Sequence, residues 1–129
     1  MMHLSNIDVR IFSYYPRLEK VKNYVDNHFS DPLDLEQIAE IAGLEKSYFS
    51  TYFRQKTGVR FHDWLSGIRV NHALSLMSFR DLSITEVAMA VGFQELRTFE
   101  RAVRKHTGVT PQTIKQRLRA KITHDTRQT

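Results

Sequence analysis

The sequence contains no cysteine and no long run of apolar residues. The first absence excludes disulfides and thiolate metal sites, which suits a reducing compartment. The second argues against a membrane span, because a spanning helix needs about 18 or more consecutive apolar residues. The opening MMHLSNIDVRIF also lacks a basic leader followed by an apolar core. We therefore expect a cytoplasmic protein that is neither secreted nor bound to a membrane.

Residue groupings that indicate catalysis or metal binding are also missing. The six histidines are scattered, and none forms a His-x-x-Glu-His group or lies near a strand-turn-helix nucleophile motif. No glycine-rich phosphate loop occurs, and lone histidines at such spacings rarely bind metals. Phe61 and Trp64 lie on an apolar stripe, which favours a core over a ligand platform. We predict no enzyme activity, no cofactor and no metal.

The composition is that of a folded protein with an uneven distribution of charge. The 129 residues are 41% hydrophobic and 26% charged, which indicates one ordinary domain or two small ones that share a core. The formal charge is +5; residues 31–45 include no lysine or arginine, whereas residues 96–121 carry eight basic side chains against Glu100 alone. This uneven distribution of charge, with the basic residues at the C-terminal end, favours an anionic partner. Solvated helix faces would produce the same pattern.

Two parts of the chain resemble each other. The segment LEQIAEIAGL at 35–44 returns as ITEVAMAVGF at 84–93, and the segment TGV at 57–59 returns at 107–109. Each copy reads as a short helix, a glycine turn and a longer helix, which is the helix-turn-helix pattern. A repeat with only two copies argues for a tandem of units and against a solenoid.

The apolar spacing predicts an all-α fold of about seven helices. The predicted spans are 16–29, 34–42, 45–57, 61–78, 83–91, 95–107 and 110–119. The helix 61–78 lies between the two copies and would extend roughly 27 Å at 1.5 Å per residue, so we interpret it as a linker of fixed length. Its apolar stripe consists of Phe61, Trp64, Leu65, Ile68, Ala73, Leu76 and Met77.

Capping patterns mark the start of both short helices. Asp34 is followed three residues later by Gln37, and Ser83 by Glu86, and each pair has the form of a capping box. The predicted organisation is an arm at 1–15 that partly alternates as a strand would, a first helix-turn-helix subdomain at 16–60, the linker helix at 61–80, a second subdomain at 81–120 and a frayed tail at 121–129.

The two longer helices have polar outer faces suited to reading DNA. An α-helix fits the major groove, where arginine can bond to guanine O6 and N7 together and glutamate can accept from cytosine N4. The alternative is that Glu100 and Arg104, four residues apart, form a surface ion pair with no partner beyond it. The outward residues are Lys46, Ser47, Ser50, Thr51 and Arg54 in the first helix, and Arg97, Glu100, Arg101 and Arg104 in the second.

Several motifs resemble those of a known family. They are LEQIA with Gly43, FRQKTG at 53–58, Arg69 with Ala73 in the long helix, ITEVAMAVGF at 84–93, and HTGVTP ending at Pro111. Through these residues the chain, from about Leu18 to Lys115, resembles the AraC/XylS family of bacterial transcription regulators. The resemblance implies two helix-turn-helix motifs that flank one long helix, and the length of the chain resembles that of the stand-alone members.

The resemblance also implies functional residues and partners. It places base contacts at Lys46, Ser47, Ser50 and Thr51 in the first unit and at Leu96, Arg97, Glu100 and Arg101 in the second, with Thr98 adjacent. It places phosphate contacts near Asp34 and Ser83, where helix N–H groups favour an anion. It further implies contact with RNA polymerase, usually to activate transcription.

Two hypotheses follow. The favoured one is a nucleoid-associated regulator that binds double-stranded DNA as a monomer, with two unlike helices in neighbouring major-groove segments of an asymmetric site of about 20 bp. It would be controlled by its amount or by partners. The other is a helical protein-binding module that uses the acidic stretch 31–45 or the basic C-terminal part. A fragment of a longer regulator is compatible with either.

Overall fold

A computed structural model describes residues 7–128, with side chains described as far as Lys121. Over this range the chain is all-helical, which confirms the predicted fold class, and it has eight helices where about seven were predicted. None of these helices is long and apolar enough to cross a membrane. The helices are α1 (Arg10–Tyr14), α2 (Pro16–His28), α3 (Leu35–Ile41), α4 (Lys46–Thr57), α5 (Phe61–Phe79), α6 (Ile84–Ala90), α7 (Leu96–Thr107) and α8 (Pro111–Gln128).

The segment before α2 is partly folded, which the sequence did not indicate. The alternation of apolar and polar residues in this segment suggested a strand. However, Ile7 and Ile11 are also four residues apart, which suits a helix, and residues 10–14 form α1. Ile7 and Phe12 are buried, and Phe12 stacks on Trp64 with ring centroids 5.1 Å apart. This part of the predicted arm therefore packs on the core, and residues 1–6 lie outside the described residues.

The long helix α5 contributes to two separate hydrophobic cores. Its first half supplies Trp64 and Leu65 to the core of the first helix-turn-helix unit. Its second half supplies Val70 and Ala73, both fully buried, to the core of the second. Val70 was missing from the predicted stripe because the buried face shifts around the helix axis where α5 passes from one core to the other. The 19 residues of α5 extend about 29 Å at 1.5 Å per residue.

The two short helices begin differently. Before α6, the Ser83 hydroxyl accepts from the Glu86 backbone N–H at 3.0 Å, and the Glu86 carboxylate accepts from the Ser83 N–H at 2.9 Å. These backbone and hydroxyl contacts with Ser83 lower the pKa of Glu86. Before α3, Asp34 accepts from the N–H of Glu36. The capping box predicted with Gln37 was wrong, because the Gln37 amide instead donates to the Tyr24 hydroxyl of α2.

The last helix is longer than its apolar edge indicated. The sequence predicted an end near Arg119, but the backbone of α8 is helical as far as Gln128. No proline or glycine occurs after Pro111 to end the helix. The predicted tail at 121–129 therefore continues the helix to Gln128, while its side chains after Lys121 and the whole of Thr129 lie outside the described residues.

Candidate nucleic-acid interface

The first helix-turn-helix unit is formed by α3 and α4, which are joined by a turn at Gly43. Gly43 has φ 73°, a left-handed conformation that glycine adopts without steric cost. Phe49 and Phe53 on the inner side of α4 are fully buried, and they fix which side of the helix faces outward. That outer side carries five exposed side chains, namely Lys46, Ser47, Ser50, Thr51 and Arg54.

The second unit repeats this arrangement with α6 and α7. Phe99 and Val103 are buried against the second core, as the sequence predicted. The candidate residues of α7 are therefore turned away from the core to different degrees. Arg97, Arg101 and Arg104 are exposed, whereas Leu96, Thr98 and Glu100 are partly buried.

The outward arginines form no ion pair with the acidic side chains described between residues 7 and 121. Among the side chains described between residues 7 and 121, the ion pairs involve none of Arg54, Arg97, Arg101 and Arg104. The alternative interpretation, an ion pair between Glu100 and Arg104, is therefore wrong, because these two described side chains form none. Glu100 instead lies 3.5 Å from the side-chain amide of Gln112. These guanidinium groups are free to bind an anion without first breaking a salt bridge.

Two neighbouring clefts lie between α4, the start of α7 and one stretch of α5. A cleft of about 470 Å³ is lined by Ser50, Thr51 and Arg54 of α4. A second cleft of about 410 Å³ is lined by Glu95 and Thr98 at the start of α7. The two clefts share the lining residues Leu33, His62 and Leu65. The clefts therefore adjoin, and together they connect part of the outer face of α4 with the start of α7.

Comparisons with known proteins agree with this geometry. Residues 38–117 match a family model described as a helix-turn-helix domain. A transcriptional regulator from Chromobacterium violaceum, described as having an AraC-type DNA-binding domain, has the same fold, with a TM-score of 0.73 at 23% identity over 82% of this chain and 95% of that chain. The chain belongs to the AraC-type helix-turn-helix family. The resemblance drawn from the motifs is thereby confirmed.

Two further relatives extend the comparison. The DNA-binding domain of AdpA, solved in complex with a target DNA, matches with a TM-score of 0.74 at 29% identity, covering 82% of this chain and 95% of that chain. The regulatory protein PocR of Salmonella typhimurium is 33% identical over 102 residues, which is 79% of this chain and 34% of PocR. This chain spans no more than about a third of the first curated relatives it matches.

The first cleft includes two basic side chains that no sequence pattern indicated. Arg60 and His62 are exposed and line the first cleft together with Thr51 and Arg54. They are close to α4 only because α5 turns back beside it after Gly58. Their one signal in the sequence was their position at the start of the linker helix, and that position alone does not indicate which way a side chain points.

A salt bridge joins the linker helix α5 of this AraC-type domain to α7. Lys105 of α7 donates to the Asp63 carboxylate of α5 at 2.9 Å. This hydrogen bond lowers the pKa of Asp63. Lys105 thus forms an ion pair with another residue of the chain, unlike the neighbouring Arg101 and Arg104, and it helps to hold α7 against α5.

Proposed function

We propose that this chain is the sequence-specific DNA-binding part of a transcriptional regulator. One observation carries the proposal: α4 and α7 both carry exposed arginine side chains, and none of these arginines forms an ion pair among the side chains described between residues 7 and 121. The formal charge of +5 favours a polyanion over a neutral partner. The related DNA-binding domain of AdpA was solved with a target DNA, which supports double-stranded DNA as the ligand here.

The two recognition helices offer different chemistry to base edges. Arg97 and Arg101 of α7 are suited to bidentate bonds with guanine, and Glu100 between them to accepting from cytosine N4. Ser47 and Ser50 of α4 can donate or accept, so they select bases less sharply. Each bidentate pair discriminates by about 1–3 kcal/mol. The second unit therefore supplies most of the base selectivity in this mechanism.

The linker helix sets the geometry of the DNA site. Two half-sites on one face of B-DNA are about 34 Å apart for one helical turn, whereas α5 extends about 29 Å. The protein would thus bind an asymmetric site of about 20 bp as a monomer. DNA bent toward the protein would bring both major-groove segments within reach, at an elastic cost on the order of a few kcal/mol.

Selection of bound duplexes from a random pool tests sequence specificity directly. We expect one enriched asymmetric site with two separated elements. On that site, Arg97→Ala and Arg101→Ala should each reduce base preference, because each removes a direct contact to a base. Arg54→Ala should weaken binding to all sequences alike, as loss of a phosphate contact does. Lys20→Ala on the exposed side of α2 is the control for loss of one positive charge.

The dependence of binding on salt separates this mechanism from the alternative of a protein-binding module. Log affinity should fall linearly with log salt concentration, with a slope of about −0.9 for each phosphate that the protein neutralises. Arg54→Ala should make the slope shallower by about 1. A pool without an enriched sequence, together with weak binding that Arg97→Ala leaves unchanged, would contradict the proposal.

The effect on transcription belongs to the same proposal. We propose that the bound protein contacts RNA polymerase and activates transcription, as the AraC/XylS resemblance implied. Transcription with purified polymerase from a promoter carrying the selected site should rise when the protein is added. A fall in transcription would indicate repression, and unchanged transcription would contradict a direct role of the protein at the promoter.

A further inference from the structure

Two arginines occupy equivalent positions in the two helix-turn-helix units. Arg17 directly precedes Leu18, and Arg69 directly precedes Val70; Leu18 and Val70 are fully buried in the first and the second core. Each guanidinium lies against the glycine turn of its own unit. A Cβ placed on Gly43 would be 2.8 Å from Nη1 of Arg17, and a Cβ placed on Gly92 would be 2.9 Å from Nε of Arg69.

The hydrogen bonds of the two arginines differ. Arg17 donates to the carbonyls of Ala42 and Gly43, at 2.7 Å and 3.1 Å, so its bonds stay within the first unit. Arg69 donates from Nε to the carbonyl of Phe29 at 2.7 Å and from Nη2 to that of Asp31 at 2.9 Å. Those carbonyls follow α2 in the first unit, although Arg69 lies at the turn of the second.

The contact around Arg69 joins three parts of the chain. The backbone of Ser30, between the two acceptor residues, approaches Gly92 so closely that a Cβ there would be 3.0 Å from its Cα and oxygen. The Arg69 guanidinium also lies 5.9 Å from the ring centroid of Phe93. Burial lowers the pKa of Arg69. Residues 29–31 of the first unit are thus in contact with the turn of the second.

We propose that Arg69 is a positioning residue that fixes the orientation of the two recognition units, and thereby the half-site spacing that the protein accepts. This inference rests on the proposed function. α5 alone sets the separation along its axis, but a unit can still tilt or rotate about a helix end. Charge-assisted bonds to two carbonyls resist that motion. Linked binding units favour one spacing only when their geometry is held in advance.

The first test measures the orientation without DNA. The chain has no cysteine, so Asn23→Cys and Gln116→Cys, at exposed positions of α2 and α8, accept one spin label each. Pulsed electron resonance should give a narrow distance distribution in the otherwise unchanged protein and a broader or shifted one with Arg69→Ala. Arg17→Ala is the matched control, because it removes an equivalent arginine whose hydrogen bonds stay within one unit.

The second test measures spacing on DNA. Duplexes carry the selected site with zero, one, two or five base pairs inserted between its two elements. Linked binding can exceed single-site binding by roughly 10²–10⁴-fold, so we expect the unchanged protein to prefer one spacing by tenfold or more. With Arg69→Ala that preference should fall to about threefold. Binding to duplexes with one element should be unchanged, and Arg69→Lys should restore part of the preference.

The outcomes separate this inference from the proposed function. An equally narrow distance distribution and an equally sharp spacing profile in Arg69→Ala would overturn the role of Arg69 while leaving DNA binding intact. If the unchanged protein selects no sequence, the proposed function fails, and the distance measurement alone still decides whether Arg69 holds the units. If Arg69→Ala does not fold, Arg69→Gln and Arg69→Lys are compared in its place. Arg69→Lys should then retain more of the spacing preference than Arg69→Gln.

Discussion

Four glycines with positive φ provide a graded test of the contact between the two units. Gly58 and Gly108 end α4 and α7 with φ 82° and 85°, and a Cβ on either would meet nothing within 4 Å. Gly92 has φ 105° and backbone of Ser30 at 3.0 Å. Alanine at any of these positions would have to adopt a positive φ, which is unfavourable for a residue with a Cβ. Only at Gly92 must it also displace the backbone of another unit.

The expected costs follow from these contacts. Gly58→Ala and Gly108→Ala should each lower the free energy of unfolding by about 1–2 kcal/mol, the penalty for a non-glycine residue in this conformation. Gly92→Ala should add a steric cost of about 1–3 kcal/mol. Gly43→Ala should fall between, because its close neighbour is the Arg17 side chain, which can move at the expense of its hydrogen bonds.

Urea unfolding followed by circular dichroism measures the series, with thermal midpoints shifting by roughly 4 °C per kcal/mol in a domain of this size. Gly58→Ala and Gly108→Ala serve as each other's control, since they occupy equivalent positions in the two units. If Gly92→Ala is no more destabilising than these two, the close contact with Ser30 is not formed in solution. The evidence for a contact between residues 29–31 and the turn at Gly92, on which the proposed role of Arg69 rests, would then be lost.

Two further predictions concern side-chain hydrogen bonds. Ser83→Ala should lower the free energy of unfolding by about 1 kcal/mol in urea, because it removes one half of a capping box, whereas Glu86→Gln should cost less because its amide oxygen still accepts. The hydrogen bond from Lys105 keeps the pKa of Asp63 below its unfolded value of about 3.9. Asp63 therefore stabilises the fold above that value, and the contribution is lost as pH falls through the lower folded pKa. Unfolding measured between pH 7 and pH 3 should show a smaller acid-induced loss in Asp63→Asn than in the unchanged chain; an equal loss would show that the Lys105 contact is not formed.

The helices of both units could be predicted because their signals are local. The glycine turns, the apolar spacing and the repeat placed α4 and α7 within about one residue of their observed starts. The core positions Phe49 and Phe99 followed from helical periodicity in the same way. These features depend on residues a few positions apart, so one sequence contains the whole signal.

The contacts between units could not be predicted for the opposite reason. Arg69 appeared only as a motif residue, because its acceptors are backbone carbonyls, and those are present at every position in the sequence. The packing of α1 depends on Phe12 meeting Trp64, which lies far along the chain. The shift of the α5 stripe to Val70 depends on where the second core begins. Each of these contacts can be predicted only once the tertiary arrangement of the helices is known, because the residue types alone do not indicate their partners.

The duplication explains why one chain would bind an asymmetric site. Two identical units would read the same half-site twice, but here Ser47 and Ser50 of α4 correspond to Arg97 and Glu100 of α7. The same divergence separates Arg17, whose hydrogen bonds stay in its own unit, from Arg69, whose bonds reach the other. A repeat that had kept every contact internal would leave two units joined only through α5. Under the proposed function, the unlike outer faces would make the units read different half-sites, and the hydrogen bonds of Arg69 across the two units would hold them at one orientation.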